Sequence, residues 1–519
     1  MAEYGRPGGV SLHEVLRSGM ESLPQAAPAV APAPSAGAWG PGPAAAEEPA
    51  DARVPQQMPG AVPVPPETVT ELRRRVSERL KAERQQMSER GADLSGDDER
   101  QLARSIIQQV VSEWASDEWA LHHGALSRDD EKTLRELTFD SIYRAGALQA
   151  LLDDPDLEHL TIDGDTLHLE YTGRARRSQP SPFRTDEELR AWVNDMASRS
   201  GAGERQLAAA RPTIDFRLPD DSRVAATLLT TRPAVSIRRH KLVTSRLEDL
   251  VALGSIDPCL QAFLTACVRA RRNILVVGDM GAGKTSLLRA LAREVPPHER
   301  IVTLESDREL FLDHTPPDLA GAPSAHVLAF EARDSGGERG ADGRLLGEIS
   351  LNDMFAHTLR YSASRVMVGE VRSEEVLPML ESMAAGGSGS MCTLHARNPA
   401  GVMDRLLYLC NRAGLSDSAA SKLIAGAVDI VVYLQLIDQT AVGGRKWRWV
   451  SHVLEVAGRG EQGYPVTNTI FGPQGNEPRA VFQHRPGCLE VLESEGGFDR
   501  RTLIPGGRWP LLPWQRGNR

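Results

Sequence analysis

Apolar positions change their spacing several times along the chain, and each change marks a boundary. In ETVTELRRRVSERLKAERQQMSER, from Glu67, they recur every three or four residues among many charges, which predicts an amphipathic helix. Two similar stretches come next, DDERQLARSIIQQVVSEWASDEWAL after the breaker GADLSG and DDEKTLRELTFDSIYRAGALQALL after Ser127. Together they predict a helical module over 67–152 whose apolar stripes pack on one another. From Asp153 the period shortens to two. LEHLTIDG and TLHLEYTG alternate about a DGD turn and predict a β-hairpin. TIDFRLPDDSRVAATLL and AVSIRRH predict further strands, the first about a PDD turn, and EELRAWVNDMASRSG predicts a helix. Residues 153–245 therefore read as a second, α+β domain.

A third domain is expected over 246–457. SRLEDLVALGSI leads into DPCLQAFLTACVRAR, a helix that opens on Asp-Pro. The apolar runs NILVVG, RIVTLES, SRVMVGEV, SMCTLHA and DIVVYLQLI then alternate with helical stretches such as TSLLRALAREV and EEVLPMLESMAAG. Continuous apolar strands separated by helices predict an α/β fold with a parallel sheet covered on both faces. Residues 458–519 read as a loop-rich C-terminal extension without an assigned role. Residues 1–66, rich in Ala, Pro and Gly, have little to bury and read as a disordered tether.

Composition narrows the class without naming it. A chain of 519 residues has room for two or three domains with real cores. A net charge of −10 argues against a general nucleic-acid binder but not against a local nucleotide site. None of the five cysteines falls in a C-x-x-C pair, so neither a zinc site nor a disulfide framework is expected, which suits a reducing compartment. The opening MAEYGRPGGVSLHEV has no basic-then-apolar signal pattern, and no apolar run reaches the roughly 20 residues that span a bilayer. The expectation is a cytoplasmic protein, peripheral to the membrane through its partners.

The most specific motif is G-x-x-x-x-G-K-[ST], here Gly278, Asp279, Met280, Gly281, Ala282, Gly283, Lys284 and Thr285, with Ser286 next in the chain. It sits after an apolar strand and before a helix, the context the motif requires. Its glycines let backbone N–H groups converge on phosphate, and the helix presents its positive end there. Lys284 would reach the outer phosphates of ATP and Thr285 would complete a Mg2+ shell. Glu370 comes after the apolar Val366–Val368 run, at a strand end where open α/β sheets bind ligands, and could hold Mg2+ or orient water. An acidic cluster, Glu305, Asp307 and Glu309, offers a general base, Glu309 being preferred. His395 closes the small-residue run GGSGSMCTLHARNP; a lone histidine is more often structural than functional.

NILVVGDMGAGKTSLLRAL, ERIVTLESDREL, RVMVGEVRSEEVLPMLESMAAGGSGSMCTLHARNP and AGAVDIVVYL, in this order, resemble the type II/IV secretion ATPase superfamily. PTIDFRLPDDSRVAA, SIRRH and LEDLVALGSI resemble its CpaF-type branch, the motors of Tad/Flp pilus assembly. The resemblance implies a RecA-like P-loop NTPase domain preceded by a smaller PAS-like domain. It also implies a Mg-ATP-driven homohexamer that moves inner-membrane platform proteins of a Tad/type II-like secretion machine, with no direct nucleic acid. By the same resemblance Glu309 belongs to an acidic box, Glu370 is the Walker B glutamate, and His395 senses nucleotide near the γ phosphate. Arg223 and Arg238 fall where the family offers arginines to nucleotide. Three departures stand out: Ser306, Ser364 and Gly387 replace polar or charged groups expected near the site. They leave open a nucleotide-binding scaffold with weak hydrolysis, and the wider superfamily leaves open a conjugation-associated ATPase.

Overall fold

In the computed structural model, residues 66–519 are described except 90–95, 172–173, 175, 201–205, 240–244, 315–320, 322, 334–346, 386–387, 441–445, 505–508 and 510–519. The expected tether up to residue 65 and Gly387 lie outside the described residues.

The helical patterning closes on a core of its own. Helices α1 (Pro66–Glu89), α2 (Gly96–Trp114) and α3 (Arg128–Tyr143) bring together Leu72, Val76 and Leu80, spaced by one turn, with Ile106, Val110, Val111 and Leu134. Ser127 caps α3, its hydroxyl accepting from the Asp130 N–H.

The alternating stretches form a six-stranded antiparallel sheet in the order β3-β2-β1-β6-β5-β4. Its strands are β1 (Leu157–Asp163), β2 (Thr166–Tyr171), β3 (Arg177–Pro180), β4 (Thr213–Arg217), β5 (Arg223–Thr227) and β6 (Ala234–Arg238). Alternation buries Leu160, Ile162, Leu167, Ile214, Val224 and Ile237, which share a core with Leu189, Val193 and Met196 of α4 (Asp186–Arg199). The PDD turn joins β4 to β5 with Arg217 opposite Arg223.

A second sheet has nine strands in the order β15-β14-β13-β12-β7-β11-β10-β8-β9. Strands β7 (Ile274–Gly278), β8 (Arg300–Glu305), β9 (His326–Glu331), β10 (Arg365–Val371), β11 (Met391–Leu394) and β12 (Ile430–Asp438) run parallel to one another. Strand β7 is buried at every residue because its two faces feed two cores. Ile274 and Val276 pack with α5 (Leu247–Ala252), α6 (Pro258–Arg269) and α7 (Lys284–Ala292). Leu275 and Val277 pack with α8 (Leu351–Thr358), α9 (Val376–Ala384), α10 (Val402–Arg412) and α11 (Asp417–Ala427).

The loop-rich reading of 458–519 needs correction. Strand β13 (Lys446–Arg459) pairs with β12, and β14 (Pro465–Gln474) and β15 (Glu477–Phe482) continue the sheet in antiparallel fashion. Ile470, Phe471 and Ala480, with Leu489 and Leu492 of α12 (Leu489–Ser494), belong to the same core as α6. Pro465 and Gly472 read as turn signals, yet they lie in β14; pairing of Pro465 with β13 and of Gly472 with β15 overrides local propensity there. Strand β9, an edge strand exposed along much of its length, carried too weak a pattern to be predicted.

At the start of β10 the chain buries an ion pair. Arg365 is fully buried, and its guanidinium meets both oxygens of Glu299 at 2.6 and 2.8 Å and the Val268 carbonyl at 2.7 Å. Arg271 shares the same carboxylate at 2.6 Å and donates to the Ser364 carbonyl at 2.7 Å. Burial alone would raise the Glu299 carboxyl; the guanidinium groups of Arg365 and Arg271 outweigh it and hold the group below its ordinary value. Gly389, at φ +85°, lies so close that a Cβ would stand 2.5 Å from the Arg365 guanidinium. Ser364 therefore belongs to the amino end of β10. Glu370 is six residues on, about 20 Å away along an extended strand. Having serine at 364 removes no group from the site at the other end, contrary to expectation.

Candidate active site

Four parallel strands end side by side, and the candidate residues lie at or next to their carboxyl ends. Register pairs Leu394 of β11 with Val277 of β7 and with Val371 of β10, and pairs Val368 of β10 with Leu304 of β8. Gly278, His395, Glu370 and Glu305 thus emerge in that spatial order at the carboxyl edge of the sheet, the ligand-binding edge of open α/β folds. The register of β10 shifts between Val368 and Val371, and this irregularity re-aims Glu370.

The glycine-rich loop leaves β7 against β12. A Cβ on Gly278 would lie 2.5 Å from the Leu434 carbonyl oxygen, so only glycine fits. Gly283, at φ +93°, opens α7. Gly278→Ala is expected to cost about 1–3 kcal/mol through overpacking. It should also weaken nucleotide binding at least about tenfold, since about 1.4 kcal/mol of cradle distortion suffices for that; titration with a fluorescent ADP derivative checks it. Within the loop Ala282 is buried, Met280 points outward with 81% of its surface exposed, and Ser286 lies on α7 behind Thr285. Arg448 of β13 donates to the Gly281 carbonyl at 2.8 Å, a brace absent from the sequence reading.

Lys284 is buried and not idle. Its Nζ donates to the Asp279 carbonyl at 2.9 Å and stands 3.2 Å from His395 Nδ1, while His395 Nε2 stands 2.9 Å from Glu370 Oε1. Both contacts are satisfied by one tautomer, with Nε2–H donating to Glu370 and Nδ1 accepting from Lys284, an assignment from the hydrogen-bond network. Arg372 donates to the other Glu370 oxygen at 2.6 Å. Burial alone would raise Glu370; the hydrogen bonds from His395 and Arg372 outweigh it and bring the carboxyl down to about 2. Arg372 was missed; the signal that could have found it is its place two residues beyond Glu370, on the same face of an extended chain.

Burial lowers Lys284 to about 8, against the pull of Glu370 and Asp279. A phosphate placed on Nζ favours the charged form, so nucleotide binding above pH 8 must take up a proton. Affinity is then expected to fall as pH rises through about 8, by up to about tenfold per unit. Calorimetric titrations at about pH 8.5 in two buffers of different ionisation heat measure that uptake; identical heats would contradict it.

The Thr285 hydroxyl donates to Glu309 Oε2 at 3.3 Å, and Arg238 approaches Glu309 Oε1 at 3.9 Å. Arg238 is paired across strands with Arg223, and Arg223 with Arg217, so three arginines line one end of the smaller sheet. Such a row of like charges needs anions. Each arginine finds one: Arg217 meets Glu331 at 2.6 Å, Arg223 meets Asp307 at 2.7 Å, and Arg238 faces Glu309. Of the two arginines expected to serve nucleotide, Arg238 reaches the Thr285–Glu309 cluster, whereas Arg223 is held by Asp307. Arg217 was not predicted, although the PDD turn places it opposite Arg223.

Glu305 is buried beside Gly369, and its Oε1 accepts from the backbone N–H groups of Glu309 and Leu310, each at 2.9 Å. Burial raises it to about 7 against those hydrogen bonds. Ser306 borders a cavity of about 430 Å³ with Asp215, Arg223 and Asp307, which Lys284, His395 and Glu370 do not line. The hard oxygen donors Thr285 and Glu370 suit Mg2+, and the Gly278–Gly283 cradle suits phosphate. Among the described residues no helix is long and apolar enough to cross a membrane.

Known proteins match the chain in this region. A family model described as type II/IV secretion system protein matches residues 145–502. A putative conjugal transfer protein of Mycobacterium tuberculosis (strain H37Rv) is 30% identical over 325 residues, covering 61% of this chain and 86% of the relative. The protein VirB11 of Agrobacterium fabrum is 28% identical over 315 residues, covering 54% of this chain and 85% of that protein. The solved Legionella pneumophila ATPase DotB superposes with a TM-score of 0.41 at 20% identity, covering 59% of this chain and 80% of that one, a score too low to weigh.

Proposed function

This chain belongs to the type II/IV secretion system protein family and is a secretion-related ATPase, and from that premise we propose that it is a Mg-ATP-driven motor of the CpaF-type branch. In this reading it works as a cytoplasmic homohexamer on inner-membrane platform proteins, powering pilus assembly or protein secretion. The observation that carries the reading is the unbroken line from the P-loop lysine through His395 to Glu370, with Thr285 and Glu309 beside it.

The contacts suggest the roles. Backbone N–H groups of the Gly278–Thr285 loop cradle the phosphates, and Lys284 turns from His395 to the β and γ oxygens. Thr285 and Glu370, the latter directly or through water, would hold Mg2+, which when bound neutralises charge on the phosphate oxygens. Against burial, the hydrogen bonds from His395 and Arg372 keep Glu370 ionised, and in this reading it orients the nucleophile. Glu309, at 3.3 Å from the Thr285 hydroxyl, is the carboxylate placed to accept the nucleophile's proton. His395 loses its Nδ1 donor whenever Lys284 engages phosphate, so the His395–Glu370 contact reports occupancy. Arg238 and Arg223 exchange carboxylate partners for phosphate, a task suited to a planar, permanently charged donor.

The test is Mg2+-dependent ATP hydrolysis by the purified protein, with molar mass measured by light scattering. Turnover confined to a species near six chains is the expected result. Tight ATP binding by that ring without phosphate release would sink the motor reading in favour of a nucleotide-gated scaffold. The name of the Mycobacterium tuberculosis relative favours a second reading, a conjugation-associated ATPase. Against it stands the net charge of −10. DNA binding that weakens steeply between about 50 and 200 mM salt, at conditions of full ATPase activity, would favour it.

A further inference from the structure

Residues 308–310 carry Glu309, yet they belong to no helix or strand. Peptide groups outside secondary structure need other partners, and here the partners are charged side chains. The Arg308 N–H donates to Glu331 Oε1 at 3.0 Å, and the Arg308 carbonyl accepts from Arg217 at 2.6 Å. The N–H groups of Glu309 and Leu310 both donate to Glu305 Oε1. The carbonyls of the same two residues accept from one guanidinium: Arg289 reaches Leu310 O at 2.9 Å and Glu309 O at 2.5 Å. All six backbone polar groups of three consecutive residues are thus held by Glu331, Arg217, Glu305 and Arg289.

Two of these four are tied to the phosphate site. Arg289 lies on α7 one turn beyond Thr285, and is 3% exposed; burial lowers its guanidinium to about 10, which leaves it charged at neutral pH. Glu305 ends β8, next to the Glu370 strand, and is 2% exposed. A buried bidentate guanidinium and a buried two-fold acceptor are strong, directional fixtures. The segment just beyond bears the cost of being so fixed, for Phe311 is buried at φ +46°, in the left-handed region.

We propose that Arg289 and Glu305 are positioning residues: by gripping the peptide groups of Glu309 and Leu310 they set the Glu309 carboxylate against the Thr285 hydroxyl, and make the loop move with the P-loop helix. Neither side chain need touch nucleotide. The proposal rests on the reading of Glu309 as a participant in hydrolysis. It explains why Glu305, although the first acidic residue of its cluster, is turned inward, and why an arginine is buried in the middle of α7.

The test is a mutant cycle on the full chain, reading kcat and KM for ATP with fluorescent ADP affinity alongside. Glu305→Ala is expected to lower kcat about 10- to 100-fold, the range for a misplacement of about 1 Å, with KM and ADP affinity within about threefold. Glu305→Gln, whose amide oxygen still accepts both N–H groups, should recover most of that loss. Arg289→Lys, with one donor point in place of a fork, should lower kcat about tenfold with the same unchanged KM. In a Glu309→Gln background, Glu305→Ala should cost less than about twofold more, because its effect passes through Glu309. Glu305→Ala at the wild-type rate beside a disabled Glu309→Gln overturns the positioning role alone, as does a full independent loss in that background. Glu309→Gln at the wild-type rate overturns the reading of Glu309 and the proposal with it. Should Glu305→Ala not fold, Arg289→Lys carries the same cycle, and its outcomes decide in the same way.

Discussion

Exchanging Glu370 for glutamine is expected to cut ATP turnover by a factor of about 100 to 1,000 while leaving nucleotide affinity within a few-fold of wild type. The amide keeps the volume of the carboxyl and still accepts from His395 Nε2, so the line from Lys284 stays in place. What disappears is the negative charge that His395 and Arg372 hold in position beside the P-loop. A group needed to orient water or a metal-bound water costs turnover when removed, not binding, so the split between kcat and affinity is the diagnostic. Phosphate release in the steady state, with equilibrium binding of a fluorescent ATP derivative, measures both. Because Glu370 titrates at about 2, its charge is present throughout the neutral range. Any acid limb of the rate profile above about pH 5 must then survive in the residual activity of Glu370→Gln. A variant that hydrolyses ATP at the wild-type rate would remove Glu370 from the chemistry.

The second large effect is on stability. Arg365→Met is expected to destabilise the protein by about 3 kcal/mol, since it takes from the buried Glu299 carboxylate its fully buried, two-point partner and leaves only the part-exposed Arg271. For a domain of this size that corresponds to a fall in unfolding midpoint on the order of 10 °C. The double variant Arg365→Met, Glu299→Gln should recover part of the loss, because no uncompensated charge remains buried. The folded Glu299 carboxyl lies below its unfolded value, so its contribution is present above the ordinary carboxylate range. It is lost as pH falls through the folded pKa, and acid should narrow the gap between wild type and Arg365→Met. Scanning calorimetry at neutral pH and near about pH 4 tests both statements, and an unchanged midpoint at neutral pH would refute them. The site is remote from this pair, so the ATP affinity of any folded Arg365→Met should not move.

The glycine-rich loop, Glu370 and the alternating strands were legible because each rests on a local rule. The loop needs glycines where backbone meets phosphate, strand ends display ligands, and period-two patterning marks half-buried sheets. His395 was legible only through resemblance; what ties it to the glycine-rich loop is the neighbour Lys284, which no spacing along the chain reveals. The arginine row was half legible. Arg223 and Arg238 were singled out, but Arg217 completes the row only once register sets it opposite Arg223. Arg289 and Glu305 were hidden for a different reason. One sits among apolar residues of a helix and the other in an acidic cluster, and their work is done on backbone atoms, which have no sequence signature. Ser364 is expected near the site by family pattern alone, and an extended strand carries the two ends of β10 apart.

The strand that bears the glycine-rich loop has β11 and β12 for neighbours, and both leave the ribosome after it. Of the first three parallel strands to be synthesised, only β8 and β9 can pair before Arg365 emerges. A nascent chain therefore displays the apolar ILVVG segment unpaired until β11 emerges, and its second edge stays open until translation has passed Leu434, whose carbonyl the loop glycine packs against. At about 5–20 residues per second that interval lasts several seconds to tens of seconds, long enough for a ribosome-bound chaperone to hold the segment. The sheet edge that carries the glycine-rich loop is therefore closed on both sides only after β12 has been synthesised.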